Sequence, residues 1–356
     1  MITKDNFLNL DNSNMFQTLV DFHKQIRAFS IDNQKKIKLQ NPHKINKIVI
    51  IGMGGSAISG DLARSYIANN IPEIEIPITV IRNYQIPNWI GNDTLVIAIS
   101  YSGNTEETIT SLNQAMEKTN NIVCITSGGE LEQIAITKNL PLLTIPTGYQ
   151  PRAALGYLFI AVYNFLISSF CKVCTLSRTV IEEQMLADFL EAKAKVYSEL
   201  TEDNPALSLA NKLFGKQVII YSSSNILDVV NLRWRGQMHE NAKNMAFGGF
   251  LPEMDHNEIN SYQFPASVIE NSHLLFLVDA SDNPRTINRI KATHQIINEK
   301  WNNAQILESS EEIPLIRIFN LIYLADWTSY YLAILNNQDP TPIPLISQLK
   351  DIMSNY

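Results

Sequence analysis

Basic residues are scarce in this sequence, and no stretch of the chain concentrates them. Its 28 Lys and Arg residues are outnumbered by 35 Asp and Glu residues, which gives a formal net charge of −7. Proteins that bind nucleic acid present a basic patch or stripe to the phosphate backbone. The sequence therefore predicts that nucleic acid is not a partner.

Cysteine is also rare, with Cys124, Cys171 and Cys174 as the three examples. Cys171 and Cys174 form a C-x-x-C pair, but the sequence lacks the second ligand pair that a zinc site would need. It also lacks any H-x-H or H-E-x-x-H spacing. We therefore predict no metal site and no cofactor, and so few cysteines suit a reducing cytoplasm.

Long uncharged runs are limited as well. One segment, residues 153–171, has about the length that spans a bilayer. Because Tyr, Asn and Ser side chains interrupt it and it stands alone, we expect a helix buried in the core of an α/β protein. The first six residues show no apolar stretch behind a basic start, so no signal peptide is predicted. These features predict a cytoplasmic protein without a membrane partner.

What the sequence does contain is a regular alternation of strand-like and helix-like runs. At 356 residues and 45% hydrophobic content, the chain can form two domains with buried cores. The alternation is typical of parallel βαβ units and predicts an α/β protein with two doubly wound parallel sheets. We expect strands at residues 47–51, 78–81, 95–100, 122–126 and 142–145, and a second set at 218–221, 274–278 and 304–307. Helical patterns fall at residues 57–69, 105–117 and 233–247.

The two sets of strands are similar enough to suggest an internal duplication. "IVIIGMGGS" is echoed by "QVIIYSSSN", and "TLVIAISYSGNT" by "HLLFLVDASDNP". Unrelated α/β halves with similar strand composition are the alternative. Because only the first half keeps glycines at these turns, we expect phosphate binding there. The predicted organisation is one domain at residues 1–175, a connecting helix at 176–205 and a second domain at 206–356.

The first predicted strand leads into a glycine-rich turn that would fit either of two ligands. In "IVIIGMGGSAISGD", Gly52, Gly54 and Ala57 match the dinucleotide fingerprint G-x-G-x-x-G/A. Gly54, Gly55 and Ser56 in the same turn are also suited to holding a single phosphate.

A second polar turn follows the strand predicted at residues 95–100. Ser100, Ser102 and Thr105 supply hydroxyls there, and the N-terminus of the next helix adds positive potential, so the turn is suited to an oxyanion. Helix capping by Thr105 is the structural alternative, but it would leave two hydroxyls unexplained. A dinucleotide site would favour an acidic residue after the second strand, where Arg82 stands instead. A single phosphate bound by two adjacent strand ends would account for both turns. The alternative is an NADP-dependent oxidoreductase in which Arg82 binds the 2′-phosphate.

These two turns resemble those of sugar isomerase domains, a doubly wound fold of flavodoxin-like or Rossmann-like type that binds phosphosugars. Together with "PRAALGY", "ENAK", "DHNE" and "DPTP" in the same order, they resemble the bifunctional phosphoglucose/phosphomannose isomerase family from about residue 48 to residue 350. The resemblance implies a metal-free homodimer in glycolysis and gluconeogenesis. Its implied reaction converts glucose 6-phosphate and mannose 6-phosphate to fructose 6-phosphate through an enediolate.

The resemblance also implies which residues carry the chemistry. Isomerisation needs an acid/base that opens the ring, a carboxylate that moves a proton between C2 and C1, and a cation beside the enediolate. By resemblance Glu240 is the proton shuttle, and Arg152 stabilises the enediolate. His256 opens the ring in the active site of the neighbouring subunit, and Lys350 assists it. From the residues alone, a solvated glutamate and an ordinary loop histidine stay open as alternatives, and His239 is a rival to His256.

Two further function classes share some of these features. A non-catalytic phosphosugar-binding sensor would have the same turns but would also carry a helix-turn-helix reader with a basic face. An amidotransferase-type sugar isomerase would begin with a cysteine nucleophile, whereas this sequence begins Met1-Ile2. The sequence therefore favours an enzyme that isomerises hexose 6-phosphates.

Overall fold

The computed structural model describes residues 9–30, 37, 39 and 41–355, except for the side chains of residues 173 and 174. The predictions about the first six residues and about the Cys174 thiol therefore fall outside the described residues. The described chain forms two compact units. The first unit contains Asp21–Glu191 and Ile313–Ile316, and the second contains the described residues up to Val20, Ala192–Glu312 and the chain from Arg317 onward. The domain boundaries predicted from the sequence, at residues 175 and 206, stay predictions.

The strands of the described residues fall in two groups along the chain. They are β1 (Lys47–Ile51), β2 (Ile78–Ile81), β3 (Thr94–Ser100), β4 (Ile122–Thr126) and β5 (Leu142–Thr144) in the first unit, and β6 (Gln217–Ser223), β7 (Ala246–Leu251), β8 (Ser272–Asp279) and β9 (Ala304–Ser309) in the second.

The helices lie mostly between these strands. They are α1 (Met15–Val20), α2 (Phe22–Ala28), α3 (Gly54–Asn70), α4 (Glu106–Met116), α5 (Gly129–Thr137), α6 (Leu155–Phe170), α7 (Val173–Tyr197), α8 (Pro205–Leu213), α9 (Asp228–Glu240), α10 (Ala266–Glu270), α11 (Pro284–Trp301), α12 (Pro314–Leu335) and α13 (Pro344–Met353). Short 3-10 helices occur at Pro42–Lys44, Pro151–Ala154, Glu253–His256 and Glu258–Ser261.

Both sheets are parallel, and they share one strand order. The first sheet runs β2-β1-β3-β4-β5, and the second runs β7-β6-β8-β9. Apolar residues make up most of the central strands because a parallel sheet covered by helices is buried on both faces. Every residue of β3 is buried accordingly. The common order matches what a duplication predicts, and it places β6 and β8 in the positions that β1 and β3 hold in the first unit.

The prediction of a helix continuing to residue 247 was wrong. Helix α9 ends at Glu240, and Ala246–Leu251 forms the edge strand β7. Gly248 and Gly249 lie in the middle of this strand, and they interrupt the apolar pattern by which a strand is predicted. A Cβ atom on Gly248 would lie 1.9 Å from the carbonyl oxygen of Ile220, so the close approach of β7 to β6 requires glycine there.

Among the residues that the structure describes, two helices are long and apolar enough to span a membrane by length and composition. They are residues Pro151–Phe170 and α12, and 78% and 83% of their most apolar windows are buried inside the structure. The expectation that residues 153–171 stand alone was therefore wrong, because α12 passes the same test. The burial of both helices is that of core helices in a layered α/β protein.

Candidate functional site

The glycine-rich turn after β1 is itself the first turn of a helix. Helix α3 begins at Gly54, three residues before the predicted start, so Gly54, Gly55 and Ser56 contribute the first N–H groups of the helix. The Ser56 N–H donates to the carbonyl oxygen of Met53 at 3.0 Å. The N–H groups of the first helical turn lack partners further up the helix, and Met53 at the N-cap makes no side-chain hydrogen bond to them. The turn therefore presents backbone donors and the positive end of the helix dipole.

A direct hydrogen bond joins this turn to the turn after β3. The hydroxyl of Ser56, which is only 4% exposed, accepts a hydrogen bond from the backbone N–H of Tyr101 at 3.1 Å. The contact follows from the fold, because β1 and β3 are parallel neighbours whose carboxyl ends meet at one edge of the sheet. As an acceptor from Tyr101, the hydroxyl keeps its own hydrogen for a further acceptor.

The hydroxyls of the second turn have two different roles: one holds the turn together, and the others are accessible from outside it. Ser100 is fully buried, and its Oγ lies 2.8 Å from Thr105 Oγ1 and accepts from Gly103 N–H at 3.1 Å. Ser102 is exposed, and Thr105 is half-buried at the N-cap of α4. The Thr105 side chain makes no capping hydrogen bond, so helix capping does not account for this residue. Ser100 shapes the turn, whereas Ser102 and Thr105 are accessible to a ligand.

A third turn, after β4, supports the second one, and sequence reasoning missed it. Gly103 has a φ of +72°, and a Cβ atom there would lie 1.8 Å from the carbonyl oxygen of Gly128. A Cβ on Gly129 would lie 2.4 Å from the carbonyl oxygen of Ser102. The side-chain oxygen of Asn104 accepts from Glu130 N–H at 2.9 Å. The Gly128-Gly129 pair was the available signal, because paired glycines mark close backbone approaches.

The backbone of Arg152 lies directly against the glycine-rich turn after β1. Arg152 belongs to the 3-10 helix Pro151–Ala154 that precedes α6, and it is only 2% exposed. A Cβ atom on Gly55 would lie 2.8 Å from the carbonyl oxygen of Pro151 and 3.2 Å from the amide nitrogen of Arg152. The structure therefore brings the backbone of Arg152 next to the predicted phosphate turn, and any side chain at Gly55 would push the two segments apart.

Arg82, the residue that would bind the 2′-phosphate of NADP in the dinucleotide alternative, already has an ion-pair partner. Its guanidinium pairs with the carboxylate of Asp61 on α3, and Arg64 lies 3.6 Å from the same carboxylate. An arginine committed to an internal ion pair is a poor receptor for a 2′-phosphate, because binding would first have to break that pair.

In the second unit, Glu240 lines an open groove of about 520 Å³. Glu240 is half-buried at the end of α9. Lys243, Met245 and Phe247 line the same groove, together with the start of α13. The Lys243 ammonium donates to the carbonyl oxygens of Asn241 and Asp339 at 3.2 Å and 2.5 Å. Lys350 lies further along α13, is exposed and is not part of the groove lining.

His256 lies on a loop whose two flanking acidic residues each hold a hydrogen-bond partner. Asp255 accepts from Thr293 Oγ1 at 2.8 Å and pairs with Arg289 at 3.2 Å, both on α11. Glu258 accepts from the hydroxyl of Tyr221 at 3.0 Å. His256 itself is exposed at the end of the 3-10 helix Glu253–His256.

The Tyr221 hydroxyl is suited to its role as donor to Glu258. Burial, with smaller contributions from Tyr262 and Glu258, raises the pKa of Tyr221 above its usual value, so it stays protonated. A Cβ atom on Gly249 would lie 2.9 Å from Glu258 Oε1, so the glycine allows the carboxylate to approach the sheet. Anchors on both sides of the loop fix the backbone from which His256 projects.

His239, the rival histidine, has a different position. Its Nε2 lies 2.8 Å from the carbonyl oxygen and 3.2 Å from the amide nitrogen of Ala246. The ring thus contacts the backbone at the start of β7, which favours a structural role. Among the residues that the structure describes, no group of three or more His, Cys, Asp or Glu side chains is arranged to hold a metal ion.

Comparison with known proteins places both halves of the chain in sugar-isomerase families. Residues 43–135 match the SIS domain model, and residues 202–353 match the bacterial phospho-glucose isomerase C-terminal SIS domain. A bifunctional phosphoglucose/phosphomannose isomerase from Caldicellulosiruptor bescii is 36% identical, over 95% of this chain and 98% of the relative. One from Aquifex aeolicus is 31% identical, over 87% and 91%. Among solved structures, a hypothetical protein from Thermus thermophilus shares the fold with a TM-score of 0.73 at 15% identity, over 99% of this chain and 92% of that one.

Proposed function

This chain belongs to the bifunctional phosphoglucose/phosphomannose isomerase family, and we propose that its first unit binds the phosphate of the substrate while Glu240 moves the proton. The enzyme is an aldose-ketose isomerase that converts glucose 6-phosphate and mannose 6-phosphate to fructose 6-phosphate. The observation that carries the phosphate assignment is the Ser56–Tyr101 hydrogen bond, which joins two donor-rich turns at one sheet edge. Its expected setting is the cytoplasm, in glycolysis and gluconeogenesis.

A coupled assay of the purified protein tests the activity directly. We expect fructose 6-phosphate to form from both 6-phosphates, and we expect the rate to persist in EDTA because the proposed chemistry uses side chains alone. Unphosphorylated glucose and mannose are the controls, since they lack the group that the first unit binds. Absence of product from both 6-phosphates would refute the assignment of activity.

The phosphate is proposed to bind Gly54, Gly55, Ser56, Ser102 and Thr105. Backbone N–H groups of a helix N-terminus and hydroxyl donors both suit a dianion, and hydrogen bonds to a charged acceptor are the stronger kind. Ser100 contributes by holding the turn, because its buried hydroxyl contacts Thr105 and Gly103.

Thr105→Val and Ser56→Ala should each weaken binding of fructose 6-phosphate by about 1.5–3 kcal/mol, because each removes a hydrogen-bond donor to a charged group. Ser56→Ala should also lower the free energy of unfolding, since it leaves the Tyr101 N–H without its acceptor. Ser59→Ala is the matched control, because its hydroxyl lies on the same helix and bonds to the Ser56 carbonyl oxygen at 2.6 Å. Titration of the folded variants should show unchanged affinity for Ser59→Ala, and the same result for both test variants would exclude the proposed phosphate site.

The proposed reaction begins with ring opening and continues through an enediolate. His256 takes the proton of the anomeric hydroxyl and returns one to the ring oxygen, with Lys350 assisting. Glu240 then removes the C2 proton as its electron pair forms the C1–C2 double bond and the C1 carbonyl oxygen becomes the enediolate oxygen. Glu240 delivers a proton to C1 while the hydroxyl proton of O2 moves to O1, which leaves the C2 ketone. Arg152 is permanently charged, so it stabilises the enediolate without competing for the proton.

We further propose that the working enzyme is a homodimer in which His256 acts in the active site of the partner subunit. The support is the exposure of His256 on a loop that is anchored through Asp255 and Glu258. Both flanking carboxylates are bound within the unit, so the loop that carries the exposed imidazole is fixed at the surface. The anchored loop presents its imidazole to whatever approaches that surface.

A further inference from the structure

A buried polar stripe runs along helix α9 toward Glu240. Its members are Arg233, Gln237 and Asn241, which are 4%, 3% and 1% exposed. Residues four apart in a helix lie above one another on the same face. The stripe therefore marks one face of α9 and its C-terminal end, and Glu240 is the neighbour of its last member.

Helix α12 supplies a matching polar stripe. One carboxylate oxygen of Asp326 accepts from Arg233 at 3.0 Å and from Gln237 at 2.6 Å. One turn further along, the Ser329 hydroxyl accepts from the side-chain amide of Asn241 at 3.0 Å. Asp326 and Ser329 are 2% and 0% exposed, so water is largely excluded from these contacts.

The contacts continue past the end of α9. The side-chain amide of Asn336 donates to the carbonyl oxygen of Ala242 at 2.9 Å. Ser329 also donates to the Asp326 carbonyl oxygen at 2.9 Å, which fixes its hydroxyl for the bond from Asn241. Side chains before and after Glu240 are thereby bonded to α12, and the backbone at Ala242 is bonded to the residue that follows α12.

Stability alone does not require such a stripe. Replacing a buried ion pair with apolar side chains of similar size is often neutral or stabilising, because burial removes both charges from water. Hydrogen-bonded side chains differ from apolar ones because they fix how the two helices align along their axes, since each donor must meet its acceptor. The arrangement therefore suits a pair of helices whose relative position must be exact to a fraction of an ångström.

We propose that Arg233, Gln237, Asn241, Asp326 and Ser329 are positioning residues that hold the Glu240 carboxylate where it can transfer the proton. The inference rests on the proposed role of Glu240 as the base. None of the five needs to contact the substrate, because each acts through the backbone of α9. A displacement of about 1 Å in a catalytic group can lower the rate about 100-fold.

Two variants test the proposal without leaving a charge unpaired. Arg233→Met combined with Asp326→Leu removes the ion pair and keeps apolar contact, and Gln237→Leu removes one neutral donor. We expect kcat to fall about 10- to 100-fold in both, with KM nearly unchanged. The melting temperature should fall in the double variant, because Asp326→Leu leaves the buried Gln237 amide without its acceptor, and stay nearly unchanged in Gln237→Leu. Glucose 6-phosphate deuterated at C2 should show a larger primary isotope effect than with the wild type, because proton abstraction becomes slower relative to the other steps.

Tyr331→Phe is the matched control. It removes a buried hydroxyl of α12 that donates to the Tyr197 carbonyl oxygen, away from the stripe. We expect it to change stability while leaving kcat and the isotope effect at wild-type values. A folded Gln237→Leu variant with wild-type kcat and isotope effect would overturn the proposal, even if the double variant failed to fold.

Glu240→Gln in the same assay distinguishes a failure of the positioning role from a failure of the proposed base. If Glu240→Gln is inactive while the folded stripe variants keep wild-type kcat, only the positioning role is refuted. If Glu240→Gln remains active, the proposed base is wrong, and the positioning role is refuted with it.

Discussion

Glu240→Gln is expected to lower turnover by about 100- to 10,000-fold with little change in substrate binding. Glutamine keeps the shape and the hydrogen-bonding reach of glutamate but cannot accept the C2 proton. The phosphate and hydroxyl contacts of the substrate are retained, so the loss should appear in kcat rather than in KM. Steady-state kinetics on both 6-phosphates measures this split, and Glu270→Gln is the control because its carboxylate is exposed in the same unit.

Isotope exchange gives a sharper measure of the same step. Wild-type enzyme incubated with fructose 6-phosphate in deuterated water should place deuterium on carbon, because a proton held on Glu240 can exchange with solvent. A hydride shift between C1 and C2 would incorporate no label. If Glu240→Gln isomerised or exchanged at the wild-type rate, Glu240 would not be the base.

His256→Ala is expected to lose about 100- to 10,000-fold of turnover on the cyclic substrate and far less on an open-chain analogue. The reason is that only ring opening uses this acid/base. His43→Ala is the control, since it removes an exposed histidine from the first unit. Equal losses on the cyclic and open-chain substrates would show that His256 has a different role.

Mixed dimers test whether His256 acts across the subunit interface. Inactive His256→Ala chains and inactive Glu240→Gln chains would be combined, and heterodimers verified by mass. If His256 serves the partner, one of the two sites in each heterodimer has both residues intact, so activity should return. Verified heterodimers without activity would contradict the shared site.

Several elements were predictable because their signals are local. The strands at residues 47–51, 78–81 and 122–126 have the predicted bounds, and those at 95–100 and 142–145 differ by one residue. Runs of Ile, Val and Leu between Gly or Pro give a clear strand pattern. Strand β7 was missed because the close approach of β6 requires Gly248 and the approach of the Glu258 carboxylate requires Gly249, and no local pattern reveals either contact.

Candidate site residues were predictable as types but not as contacts. Ser56 and Thr105 were chosen for their hydroxyls. The structure adds that the Ser56 hydroxyl accepts a hydrogen bond from the Tyr101 N–H, while the Ser100 hydroxyl contacts Thr105 within its own turn. Arg82 could not be assigned from the sequence, since its partner Asp61 becomes visible only when α3 packs beside β2. Long-range partners such as these depend on which strands are neighbours.

The sequence by itself determined the α/β class, the repeated strand pattern, the glycine-rich turn and the hydroxyl-rich turn, because apolar periodicity and glycine placement act over a few residues. The tertiary structure alone decided which polar side chains pair with one another. It turned Asp255 and Glu258 toward their partners and left His256 exposed, and it joined Asp326 to Arg233, 93 residues away. A buried donor or acceptor must find a partner wherever the fold brings one within reach, and that partner is set by packing rather than by spacing along the chain.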